Sequence, residues 1–291
     1  MTKSEDCWVV ETVNDPSGFR TALKAVGGLK EVDSQQSLGV FDNPTFGRVM
    51  VLDGAYQITT ADEFIYHEMM AHVPAFAHGT LRHVLVIGGG DGGVARELLR
   101  HPLIETITLV EIDQAVVDLA KDHFPTVCDG AFDDPRLTVV IDDGAAFVAN
   151  TDARFDAVIV DAPDPVGAGK VLFEAPFYAG CHRVLREGGV LVTQSGIPFL
   201  TPQWMRDHAA TLRQSFGSVR FFLSTVPSYT GGPMAHSFCS DDPSLANVDA
   251  ATIKARAEAL GLAMRYWTPT LHGAAFALPR YVDELVAPAS P

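Results

Sequence analysis

With 291 residues, 47% of them apolar and 20% charged, the chain suits a main domain with a smaller accessory one and has the composition of a soluble globular enzyme. Its formal charge of −15 argues against a nucleic-acid partner and favours small cations. No apolar stretch approaches bilayer length, and Met1-Thr2-Lys3-Ser4-Glu5-Asp6 lacks a secretory start, so no membrane association and a cytoplasmic location are expected; Cys7, Cys128, Cys181 and Cys239 form no CxxC pair and predict neither zinc site nor redox dithiol.

Before residue 80 the text is turn-rich. Gly27-Gly28, Asp42-Asn43-Pro44 and Asp53-Gly54 separate short apolar runs, which predicts a small antiparallel β region. Residues 62–73 then carry Phe64, Ile65, Met69 and Val73 at helical spacing, with Pro74 expected to stop the helix. From residue 82 the pattern alternates. Strands buried on both faces are predicted at 84–87, 107–112, 137–141, 157–160 and 190–193, and helices at 94–100, 114–124, 144–149 and 173–185. Such alternation implies a parallel sheet with ligands at the carboxyl ends of its strands. The division expected is a β domain with a linking helix over 1–77 and a Rossmann-like nucleoside-binding domain over 78–291.

The polar motifs fall at those strand ends. Gly88-Gly89-Gly90-Asp91-Gly92-Gly93 has the dinucleotide spacing, but the Asp91 carboxylate in the cradle would repel a phosphate and attract the ammonium and sulfonium charges of an S-adenosylmethionine-type nucleoside. Glu111, twenty residues on, is placed to accept from both ribose hydroxyls, while Asp113 is placed to cap the next helix. Asp143 could accept from the adenine amino group while Gly144 lets the ring approach the backbone. In Asp161-Ala162-Pro163-Asp164, two acids stiffened by proline offer fixed acceptors for an amine, Asp161 to take its proton and Asp164 to hold the cation. Tyr66, His67 and Tyr229 could line the acceptor pocket or serve only in packing.

The chain resembles the polyamine aminopropyltransferases, bacterial spermidine synthases most closely, over nearly its whole length. The matching text includes Phe46-Gly47-Arg48-Val49-Met50, Leu52-Asp53-Gly54, Asp62-Glu63-Phe64-Ile65-Tyr66-His67-Glu68-Met69-Met70, the glycine turn, Val110-Glu111-Ile112-Asp113, Ile141-Asp142-Asp143-Gly144 and Ala274-Ala275-Phe276-Ala277-Leu278-Pro279. The resemblance implies a small N-terminal β domain before a Rossmann-like, methyltransferase-type domain, assembly as a homodimer or homotetramer, and transfer of an aminopropyl group from decarboxylated S-adenosylmethionine to putrescine. The donor is then a co-substrate, and neither metal nor cofactor is required. By the same resemblance Gln36, Asp91, Glu111, Asp143 and Gly144 would bind the donor; Tyr66, His67, Asp164, Gln194 and Tyr229 would surround the diamine; and Asp161 would accept the proton. Trp8 is similar to a tryptophan that closes over the acceptor in some members.

The chain departs from the pattern in three places. Pro163 stands where a Ser or Thr is usual, Gly167-Ala168-Gly169-Lys170 where a covering loop usually reads Gly-Pro and then an acid, and Tyr56 where a small aliphatic residue is common. Two other activities fit parts of the text: N-methyl transfer to a small amine, and hydride transfer on a nicotinamide cofactor. A polyamine-binding protein without turnover is a third reading.

Overall fold

The computed structural model describes residues 6–34, 36–163 and 167–288. The turn-rich N-terminal text forms five antiparallel strands in sequential order: β1 (Cys7–Glu11), β2 (Thr21–Val32), β3 (Leu38–Asn43), β4 (Gly47–Leu52) and β5 (Ala55–Thr59). Tyr56 pairs with Val51 and Ile58 with Met50, so Gln57 is an extra residue in β5. This bulge turns Tyr56 and Ile58 to opposite faces. Ile58 joins Leu38, Val40, Met50 and Leu52 against Val116, Leu119, Phe124 and Val127, while Tyr56 packs with Ala25, Phe41, Val49 and Val51. The Tyr56 hydroxyl donates to the Val9 carbonyl at 2.6 Å and accepts from Leu23 N at 3.0 Å, tying β5 to β1 and β2.

The next helix corrects an expectation. α1 (Glu63–His78) runs through Pro74 and stops at Gly79, whose φ of 81° closes the last turn with a bond from its N–H to Ala75 O. Every residue from Ile65 to Ala77 is buried. Proline removes one ladder bond, but burial of the surrounding turns outweighs that local loss.

Beyond α1 come β6 (His83–Gly88), α2 (Gly93–Leu99), β7 (Thr106–Glu111), α3 (Gln114–His123), α4 (Pro125–Cys128), β8 (Leu137–Ile141), α5 (Gly144–Asn150), β9 (Phe155–Asp161), α6 (Ala175–Val184) and β10 (Leu185–Gln194). α7 (Pro202–Leu212), β11 (Ser218–Ser224), β12 (Met234–Ser240), α8 (Ala250–Leu260), α9 (Pro269–Ala275) and α10 (Arg280–Val286) complete the chain. The sheet order is β11-β12-β10-β9-β6-β7-β8, parallel from β10 to β8, with β12 antiparallel to both neighbours. The fold is Rossmann-like. β11 and β12 were not anticipated from sequence.

Period-two alternation divides the core into two layers. Val84 and Val86 face one cluster with α1 and α2, while Leu85 and Ile87 face another with α6 and α7. β8 departs from the expectation of two buried faces: it is the edge strand and Ile141 is exposed. Cys128, Cys181 and Cys239 are buried, Cys7 is exposed, and all four are free. No described helix is long and apolar enough to cross a membrane.

Candidate active site

β6, β7 and β9 lie side by side, so their carboxyl ends bring the glycine turn, Glu111 and Asp161 to one crevice, where the strand order changes direction. A cavity of about 370 Å³ opens there. It is lined by Asp91, Glu111, Asp143, Gly144 and Asp161, by Tyr66, His67, Gln194 and Tyr229, and from the N-terminal sheet by Gln36, Glu11 and Gln57. Of the candidate site residues, only Asp164 lies outside the described residues.

The glycines serve close approach. A Cβ on Gly88 would sit 2.1 Å from the Asp161 carbonyl oxygen, one on Gly90 2.7 Å from Glu111 Oε2, and one on Gly93 2.2 Å from the His67 ring. Each fingerprint position therefore touches a different member of the site.

Glu111 is buried, its Oε2 accepting from Gly90 N at 3.2 Å and its Oε1 from Asp113 N at 3.1 Å. Burial raises its pKa to about 7, against the pull of the backbone donors at Asp113, Ile112 and Gly90. Asp113 caps α3, its Oδ1 accepting from Ala115 N at 2.9 Å. Asp143 is exposed and caps α5, with Oδ1 accepting from the N–H groups of Ala145 and Ala146.

At the end of β9 the Tyr66 hydroxyl donates to Asp161 Oδ1 at 2.8 Å, while Asp161 Oδ2 is buried without a hydrogen-bond partner among the described residues. Burial and the neighbouring Asp91 charge push the Asp161 carboxyl up to about 7, against the opposing effects of His67 and the Tyr66 hydroxyl. Burial and the Asp161 charge hold Tyr66 far above the usual phenol range, so it remains a neutral donor.

His67 is fully buried, with Nδ1 2.5 Å from Glu63 Oε2 and Nε2 3.5 Å from Asp91 Oδ1. Burial opposes its charge, but Asp91 and Glu63 outweigh burial and raise its pKa to about 10. Asp91 is held below the usual carboxylate range in turn, the His67 charge overcoming the cost of burial. One ligand-type atom each from His67, Asp91 and Asp161 lies within 4.8 Å of the others.

The Tyr66–Tyr229 side of the cavity is tied to the N-terminal sheet. Tyr229 meets Tyr66 edge-on at 6.0 Å, and its hydroxyl donates to the Gln57 carbonyl at the bulge. Asp62 anchors that loop, accepting from Ser228 N at 2.7 Å and from the Ser228 and Thr59 hydroxyls. Gln194 is buried, with Oε1 accepting from Gly196 N at 2.8 Å. Gln36 donates through Nε2 to Asp53 Oδ2 at 3.3 Å. In the unusual loop, Pro163, Gly169, Val171 and Leu172 line the cavity, whereas Lys170 is exposed and does not.

Trp8 is not placed over the cavity: it is 66% exposed and is not among the lining residues. Alternation along β1 is the reason. Val9 and Glu11 turn to Tyr56, which binds the Val9 carbonyl and gives its own N–H to Glu11 Oε1 at 3.0 Å, so Trp8 and Val10 face outward. Sequence reasoning missed Glu11, Gln57 and Trp204 in the lining, and Glu63 beneath His67. Only the Glu63–His67 pair, four apart on a helix, was open to detection by spacing.

A spermidine synthase tetramerisation domain model matches residues 7–60, and a spermine/spermidine synthase domain model matches residues 63–250. A polyamine aminopropyltransferase of a Ruegeria species is 49% identical over 286 residues, 98% of this chain and 99% of that protein. Polyamine aminopropyltransferase 1 of Pseudomonas aeruginosa is 50% identical over 277 residues, 95% of this chain and 96% of that protein. A spermidine synthase crystallised with the transition-state analogue AdoDATO superimposes with a TM-score of 0.88 at 32% identity, covering 96% of this chain and 94% of that one. The Rossmann-like half alone would suit many transferases. Because the likeness takes in the N-terminal sheet as well, the chain belongs to the polyamine aminopropyltransferase family.

Proposed function

We propose that the protein is a spermidine synthase: it transfers the aminopropyl group of decarboxylated S-adenosylmethionine to putrescine, with Asp161 as proton acceptor. The observation that carries this reading is the buried Oδ2 of Asp161, without a hydrogen-bond partner among the described residues, on a carboxyl raised to about 7 in the crevice that the glycine turn and Glu111 also line. The amine lone pair attacks the methylene carbon attached to the sulfonium, the C–S bond breaks, and its electron pair stays on sulfur, releasing methylthioadenosine. The amine proton passes to Asp161. The sulfonium leaves readily, so the protein mainly aligns a neutral nitrogen with the carbon and excludes water.

In this reading Glu111 takes the ribose hydroxyls, Asp143 the adenine amino group with Gly144 beneath the ring, and Gln36 and Asp91 complete the donor site. Tyr66, His67, Gln194, Tyr229 and Asp164 surround the diamine. The donor is a co-substrate, no cofactor takes part, and the reaction is cytoplasmic. A homodimer or homotetramer is supported by the exposed apolar side chains of Trp8, Val10, Val26 and Leu29 on β1 and β2 and by the tetramerisation-domain match there.

Incubation with putrescine and either the decarboxylated or the intact donor, followed by mass analysis, tests the reaction. The expected product is spermidine, from the decarboxylated donor only; a singly methylated diamine would refute aminopropyl transfer. Asp91→Asn should weaken donor binding roughly 10- to 100-fold by calorimetry, since a charge-assisted contact contributes about 1.5–3 kcal/mol. An unchanged dissociation constant would remove Asp91 from the donor site.

A further inference from the structure

Beneath Asp161 an ionic chain runs from α2 through α1 to the glycine turn, and its inner end enters the reaction proposed above, on which this inference rests. Arg96 donates from Nη2 to Glu63 Oε2 at 3.0 Å and from Nη1 to Glu63 Oε1 at 3.2 Å. The guanidinium is itself fixed by the Val127 carbonyl at 2.7 Å and by Glu97 Oε1 at 2.9 Å. Glu63 then meets His67 Nδ1, and His67 Nε2 faces Asp91.

We propose that Glu63, braced by Arg96, is a positioning residue that keeps His67 an imidazolium, and that His67 in this form allows Asp91 to stay ionised while Asp161, of these two carboxyls, is the one left to exchange a proton. Glu63 Oε2 lies 2.5 Å from Nδ1, and Asp91 Oδ1 lies 3.5 Å from Nε2, which has no hydrogen-bond partner among the described residues, so a carboxylate stands on each side of the ring. A neutral imidazole would turn a lone pair toward one of two carboxylates. The ring also has little room to swing aside, because it fills the space above Gly93.

Glu63 and Tyr66 face His67 from its own helix, Asp91 from the turn and Asp161 from β9, with Arg96 and Glu97 of α2 behind Glu63. His236 approaches from β12 against the Tyr66 ring, but burial keeps it neutral. If His67 lost its charge, Asp91 and Asp161 would face one another with no cation between them. Two carboxylates in that relation share a proton, which raises the pKa of one further.

Glu63→Gln keeps the shape of the side chain and removes its charge. The full-length protein labelled in its histidine rings, with the His67 resonance assigned by its loss in His67→Gln, reports that charge by NMR. In the wild type His67 should remain an imidazolium to at least about pH 8.5. In Glu63→Gln it should titrate at least about one pH unit lower, and the acid limb of kcat for aminopropyl transfer should move to higher pH. Arg96→Lys, which keeps the cation, should retain most of the wild-type profile.

A neutral His67 in the wild type near pH 7 would overturn the proposal, and this measurement stands even if Glu63→Gln does not fold. So would a folded Glu63→Gln protein in which turnover falls while the His67 titration and the kinetic limb stay in place. If the wild type transfers no aminopropyl group, the proposed function fails, yet the His67 titration still decides the role of Glu63.

Discussion

Asp161→Asn should lower kcat roughly 100- to 10,000-fold, the range that a positioned general base contributes, while leaving donor affinity close to that of the wild type. Asparagine can still accept from the Tyr66 hydroxyl through its carbonyl, so the pocket keeps its shape; only the capacity to take a proton is lost. Stopped assays of methylthioadenosine release across a pH series check this. Wild-type activity should rise with pH as the Asp161 carboxyl ionises near its raised pKa of about 7, and the variant should lack that limb.

The same substitution should raise the melting temperature at about pH 8. The folded-state pKa of Asp161 lies above the ordinary 3.8, so the stability linked to its proton is complete below that value and is lost as pH rises through about 7. Asparagine carries no charge to bury. Turnover like that of the wild type in the variant would exclude Asp161 as the proton acceptor.

The second large effect is expected at Gly88. Its φ of 77° lies in the left-handed region, and a Cβ there would meet the Asp161 carbonyl oxygen at 2.1 Å and the carbonyl carbon at 2.9 Å. These are backbone atoms, so no side-chain rotation relieves the contact. Gly88→Ala should therefore cost about 1–2 kcal/mol for the backbone conformation and about 1–3 kcal/mol for overpacking. Relief would separate the ends of β6 and β9, lengthening the 2.9 Å bond from Gly89 N to Asp161 O and displacing the Asp161 carboxyl.

Gly130 provides the control. Its φ is 75°, but a Cβ there would have no neighbour within 4 Å, so Gly130→Ala should show the backbone cost alone. Urea unfolding of the two variants separates the contributions. Equal destabilisation, with activity retained in both, would show that the β6–β9 approach does not position Asp161.

Much of the cavity lining at the strand ends was legible because its signals are local. A turn between strand and helix needs glycine spacing, and an acid before a helix start caps it within two residues, as Asp113 does for α3. The carboxylate in the turn could be read from Asp91 itself. Its His67 neighbour could not: the ring belongs to the preceding helix, and only the fold brings it to within 3.5 Å of Asp91.

Sequence by itself determined the alternation of strands and helices, the gathering of acids at strand ends and the separate N-terminal sheet, since periodicity and turn chemistry act between near neighbours. Tertiary structure decided the rest. Burial carried α1 through Pro74, edge position exposed β8, pairing with Tyr56 turned Trp8 outward, and Arg96 reached Glu63 across 33 residues. A single chain displays its own periods but not the identity of distant partners, and it is those partners that set burial, charge and side-chain direction at this site.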